Sequence, residues 1–89
     1  MKAVVTVVGK DRTGIIARVS GYLAEKEINI LDISQTIMQD LFTMIMLVDT
    51  VASDITAEAL AKDLKSIGEE LGTQINVQHE GLFSSMHRI

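Results

Sequence analysis

The chain predicts an α+β sandwich, one antiparallel sheet of four strands carrying two helices on the same face. Three observations predict it. Short β-branched or alternating runs and two stretches of helical apolar spacing follow one another in the order β-α-β-β-α-β. The chain divides into two similar strand-helix-strand halves, joined by a tight turn at Gln39-Asp40. No proline and no low-complexity segment interrupts this pattern.

Residues 2–8, KAVVTVV, form a β-branched run that stops at Gly9 and read as a strand. In residues 14–26 the apolar side chains of Ile16, Val19 and Leu23, with Ile15 and Ala24 beside them, recur at helical spacing. Thr13 is placed to cap the first turn. Gly21 falls inside the helix, where it costs about 1 kcal/mol against Ala, and so marks close packing on a strand. From Asn29 to Met38 the residues Leu31, Ile33 and Ile37 alternate with Asp32, Ser34 and Thr36, which predicts a strand with one buried face. Residues 41–48, LFTMIMLV, are apolar on both faces and belong in the middle of the sheet.

After a polar connection, Leu60, Leu64, Ile67 and Leu71 place a helix over residues 57–71. Thr56 is its N-cap, Ile55 and Leu60 form a hydrophobic staple, and Gly72 sits where a C-terminal cap belongs. Residues 74–80 alternate cleanly, with Ile75, Val77 and His79 on one side, and read as an edge strand. Two right-handed βαβ units joined this way give the ferredoxin-like fold with strand order 4-1-3-2. The domain covers residues 1–81, and residues 82–89 are a tail outside it. Phe83, Met86 and Ile89 of the tail are placed to dock on the domain or across a dimer, holding His87 and Arg88 near the open end of the sheet.

Composition excludes several classes. Eighty-nine residues make one domain. Apolar residues are 47% of the chain but aromatics only 3%, so the core is aliphatic. The absence of Cys excludes disulfides and thiolate metal sites, and it suits a reducing cytoplasm. No apolar run reaches transmembrane length, and the N-terminus opens into a strand pattern instead of a secretory leader. Net charge is −4, with no basic stripe for nucleic acid. The methionines Met38, Met44 and Met46 read as core or interface filler, not as a metal site.

The stretch 8-VGKDRTGIIARV-19 carries the functional signal. Its second glycine is followed by Ile15 and Ile16, not by the Lys-Ser/Thr pair of a P-loop, so it does not cradle a nucleotide that way. Gly14 opens the approach, the helix start favours an anion, and Lys10 and Arg12 add formal positive charge. Asn29 offers one acceptor and two donors. The plainer reading of the same residues is a structural turn, with Asp11 and Thr13 as local caps and the cations solvated.

With 11-DRTGII-16 followed by 22-YLAEKEINI-30, the chain resembles an ACT domain over residues 3–80. Thr13 departs from the proline common at that position. The whole chain, ending in 83-FSSMHRI-89, looks like the small stand-alone bacterial ACT proteins and is similar to the ACT modules of the glycine-cleavage-system repressor. The resemblance implies a non-catalytic regulatory module that senses an amino acid or similar small carboxylate at a subunit interface. It implicates Asp11, Thr13, Gly14, Ile15 and Asn29; Lys10 and Arg12 join them by their charge, and His87 and Arg88 as a tail contribution by lying outside the sandwich. It needs no cofactor and no metal. The expected partners are the ligand, a second copy in a homodimer or higher even oligomer, and a regulatory protein; neither nucleic acid nor membrane is among them.

Two alternatives compete. One is an interaction module that kept the fold and lost the ligand. The other is an acylphosphatase-like enzyme, for which the Asn is misplaced and the glycine-rich signature absent. An RNA-binding use of this fold is disfavoured by the acidic charge and by Phe42 being the single aromatic in the central strands.

Overall fold

The computed structural model describes residues 1–79. Its elements are β1 (Lys2–Lys10), α1 (Ile15–Glu25), β2 (Asn29–Met38), β3 (Leu41–Asp49), α2 (Ala57–Leu71) and β4 (Thr73–His79). The order is the expected one. The sheet runs β2-β3-β1-β4, which is 4-1-3-2 counted from the other edge, and every neighbouring pair is antiparallel. The tail residues Phe83, Met86, His87, Arg88 and Ile89 lie outside the described residues.

The period of two along a strand sorts the sheet into faces. Val5 pairs with Met46 and Val77, and Val7 with Met44 and Ile75. These side chains, with Ala3, Phe42 and Val48, meet Ile15, Val19, Tyr22 and Leu23 of α1 and Leu60, Leu64, Ile67 and Leu71 of α2 in one core. Both helices therefore cover the same face. β3 is internal, as its two apolar faces predict. The second face of β3 is left uncovered, so Ile45 is exposed and Leu47 half-buried.

β2 departs from expectation. It lacks a buried face: Ile30 is half-buried and the rest of the strand is exposed. A register shift between Ile30 and Asp32 takes Leu31 out of the alternation, as a bulge does. Ile33 and Ile37 lie opposite Met46 and Phe42, hence on the helix side, yet they are 46% and 52% exposed because no helix covers this edge. Leu31, Ile33, Ile37, Met38 and Leu41 form an apolar margin along β2 and its hairpin.

The caps also differ between the helices. Thr56 accepts from the Ala59 amide at 3.1 Å, Ile55 packs on the core, and Gly72 closes α2 at φ 70°, all as expected. The N-cap of α1 is Gly14 at φ 95°, not Thr13, and no side chain caps the first turn. At the other end, Glu27 takes φ 59°. The amides of Ile28 and Glu27 donate to the carbonyls of Leu23 and Ala24, the paired bonds of a Schellman motif built without glycine.

Gly21 is not a close-packing glycine: a Cβ there would meet nothing within 4 Å. Gly21→Ala is therefore expected to stabilise the domain by about 1 kcal/mol through helix propensity, raising the melting midpoint by about 4–8 °C. Differential scanning calorimetry checks it.

Tyr22 ties the helices together. Its hydroxyl donates to Asp63 Oδ2 at 2.7 Å. Burial, then the hydrogen bond to Asp63, raises the phenol above its ordinary value. The folded state thus holds the proton more tightly than the unfolded chain. This contribution is intact below the unfolded phenol's pKa of about 10 and is lost as pH rises above it. Tyr22→Phe should cost about 1–2 kcal/mol near neutrality and remove that alkaline loss. Urea melts across this pH range measure both effects.

Candidate ligand-binding turn

β1 ends at Lys10, and the chain reverses through residues 11–14 into α1. Several contacts hold this corner. The Asp11 amide donates to the Asp40 carbonyl at 2.7 Å, tying the turn to the β2–β3 hairpin. Arg12 Nη1 donates to the Leu71 carbonyl at the end of α2, 3.1 Å away. A Cβ on Gly9 would lie 2.8 Å from Thr73 Cγ2 and 3.0 Å from its Cα, so only glycine lets β1 pass the start of β4 this closely. Ile15, fully buried, fixes the first residue of α1 in the core.

What the corner presents to solvent is cationic and rich in donors. Lys10, Asp11, Arg12, Thr13 and Gly14 are all exposed. The first helical bond of α1 runs from the Arg18 amide to the Gly14 carbonyl at 2.9 Å. The amides ahead of Arg18 have no intrahelical acceptor, no side chain caps them, and the first turn carries no acidic residue. The left-handed Gly14 leaves open space where any other residue would carry a Cβ. Together these features suit a small carboxylate.

Asn29 lies elsewhere. It pairs with Asp49, which pairs with Lys2 at the start of β1. The turn sits at the opposite end, where Lys10 pairs with Leu41. Leu41 and Asp49 are eight positions apart on β3, about 27 Å. One chain does not bring Asn29 to residues 10–15. The signal was in the topology: β1 and β2 run parallel in a βαβ unit, so Asn29 begins where β1 begins, not where it ends.

Residues that the sequence reading passed over complete the corner. Arg18 reaches from α1 to Glu70 on α2, with Nε to Oε2 at 2.9 Å and Nη2 to Oε1 at 3.3 Å. The hydrogen bond from Arg18 lowers the Glu70 carboxyl below its ordinary value, and Arg12 adds to the field there. No residue pattern in the sequence pairs positions 52 apart, so this contact belongs to the packing of the helices.

Two concavities are lined by described residues other than those of the turn, the second beside Gly72 and Thr73 where the turn meets α2 and β4. One of about 440 Å³ is lined by Glu25, Glu27, Asp54 and Asp63 with Lys26, a setting that repels a carboxylate. The other, about 600 Å³, runs beside β4 between Lys65, Glu69 and Asn76. Among the described residues the turn is an open, exposed corner. Among the described residues, no group of three His, Cys, Asp or Glu could hold a metal ion, and no helix is long and apolar enough to cross a membrane.

A four-stranded antiparallel sheet backed on one face by two helices, with an uncapped glycine turn at one corner, defines a small ferredoxin-like domain. The sequence model of the ACT domain matches residues 2–78, and the chain belongs to the ACT domain family. A UPF0237 family protein of Clostridium acetobutylicum is 55% identical over 89 residues, spanning the whole of both chains. The solved structure of an ACT domain protein from Streptococcus pneumoniae superposes with a TM-score of 0.83 at 42% identity, over 93% of each chain. A structure described as a glycine cleavage system transcriptional repressor shares the fold at 24% identity and a TM-score of 0.74, over 89% of this chain and 47% of the other.

Proposed function

We propose that the protein is a non-catalytic cytoplasmic sensor that binds an amino acid or similar small carboxylate at residues 10–15, with Asn29 of a second copy completing the site. The observation that carries this reading is the separation of Asn29 from the turn along β2. Among the described residues, β2 is an edge strand with an unpaired outer ladder and an apolar margin of Ile33, Ile37 and Met38. Two such edges pairing about a two-fold axis run antiparallel. The start of one β2 then lies beside the end of the other, and Asn29 of each copy approaches the turn of its neighbour. The same pairing removes exposed apolar surface and closes the open corner over a ligand.

In this arrangement the unbonded amides at the start of α1 take the carboxylate, Lys10 and Arg12 supply positive potential, and the Asn29 amide orients the ligand's amino end. Thr13 offers a hydroxyl that no helix cap consumes. No side chain at the turn is placed as a nucleophile with a partnering base, which supports binding over catalysis. The signal would pass to a regulatory protein partner.

The test is a titration followed by amide chemical shifts, paired with sedimentation. Amino acids at millimolar concentration should perturb the amides of residues 10–16 and 29, and the protein should sediment as a dimer or a higher even assembly. Asn29→Ala should weaken binding with little loss of stability. Gly14→Val should abolish it, because a β-branched residue is strained at φ 95° and fills the approach. A monomer at tens of micromolar, or unmoved amides at both places, defeats the reading. A dimer whose amides stay silent would favour an interaction module without a ligand.

A further inference from the structure

We infer that Arg12 is a conformational link, exchanging the end of α2 for the ligand's carboxylate. The inference rests on the reading of residues 10–15 as a carboxylate site, and it adds how occupancy is transmitted. Leu71 contributes one of the last carbonyls of α2, a group with no donor inside the helix. Arg12 fills that vacancy from the turn, 3.1 Å away, and its positive charge suits the helix C-terminus. Immediately beyond are Gly72, in the left-handed conformation, and Thr73, which packs on Gly9. The binding turn and the glycine before it thus touch the α2–β4 corner twice, through Arg12 on Leu71 and Gly9 on Thr73.

An anion at the start of α1 comes within the sphere of the same guanidinium. A carboxylate is a stronger acceptor for Arg than a neutral carbonyl, and its geometry matches the guanidinium fork. Arg12 therefore turns to the ligand and leaves Leu71 uncapped. Arg18 stays on the Glu70 side chain, so the last turn of α2 remains tied to α1 while its backbone hydrogen bonds open more often. The change appears beside β4, the sheet edge opposite β2. A subunit contact on β2 and a readout on the α2–β4 corner can then coexist. By linkage, whatever binds the frayed corner strengthens ligand binding by the same factor.

Hydrogen exchange of the amides of residues 68–72 tests this on the full chain, with and without a millimolar mixture of the twenty amino acids. In the ligand-free protein, Arg12→Gln should speed exchange there by about fivefold, the effect of one lost hydrogen bond. In the wild type the mixture should produce a similar increase while shifting the amides of residues 10–16. In Arg12→Gln exchange at 68–72 should begin high, and at a concentration of the mixture that still shifts the amides of residues 10–16 it should rise no further. If residues 10–16 shift and exchange at 68–72 does not change, the link is wrong and the binding site stands. If Arg12→Gln leaves ligand-free exchange unaltered, the link is wrong whatever binds. If no amide of residues 10–16 moves, the sensing reading and the link both fail.

Discussion

Gly68→Val is expected to destabilise the domain by about 3 kcal/mol, the upper end of what overpacking costs. Gly68 is buried in α2 where that helix crosses the start of β4. A Cβ on it would lie 2.8 Å from the Thr73 carbonyl oxygen and 3.1 Å from Ile75 Cγ1. The first of these neighbours is backbone. Thr73 and Ile75 are held in register with Gly9 and Val7 of β1, so the strand cannot retreat without breaking its ladder. The helix must lift instead, and Leu64, Ile67 and Leu71 then lose contact with the sheet. A fall in the melting midpoint of about 12–24 °C follows from the usual scaling for a domain of this length. Gly68→Ala should also destabilise, since its gain in helix propensity is smaller than the cost of the clash. Gly21→Ala is the opposite case, where open space lets the propensity gain through. Equal midpoints for the two alanine variants would show that α2 does not approach β4 as closely as described.

Leu23→Ala is expected to cost about 3–4 kcal/mol, within the range for deleting a buried leucine and leaving a cavity. Leu23 is fully buried, and it sits among strand and helix side chains that are themselves held in place. A chain of this length has a total stability of about 4–13 kcal/mol, so the loss removes a large share of it. The Leu23 carbonyl still accepts from Ile28, and the helix end should survive. Urea unfolding should show a lower midpoint with an unchanged slope. A loss under about 1 kcal/mol would mean that the site collapses without penalty, contrary to the density of protein interiors.

The architecture was legible because it rests on local periodicity. Residues 57–71 show the case well: Thr56, Ile55, Leu60 and Gly72 each did what cap and staple chemistry assigns them. α1 was legible as a helix but not at its start. Thr13 and Gly14 are adjacent, and which becomes the cap depends on the angle at which the chain leaves Lys10. That angle is set by Asp11 bonding to the hairpin and by Gly9 packing on Thr73. Gly21 and Gly68 look alike in sequence, one inside each helix, but they differ in what lies opposite. Only the crossing of α2 over β4 distinguishes them.

By itself the sequence determined the element order, the strand order and the family, because apolar spacing, turn residues and the DRTG turn act over a few positions each. It also determined that residues 10–15 form a polar, glycine-flanked entry to a helix. The tertiary structure decided which groups share that corner. It committed Arg12 to the Leu71 carbonyl, joined Arg18 to Glu70, and left all of β2 but Ile30 exposed. The physical reason is distance along the chain. Contacts between residues more than fifty positions apart are made by packing two helices onto one sheet face, and no local pattern carries the geometry of that packing.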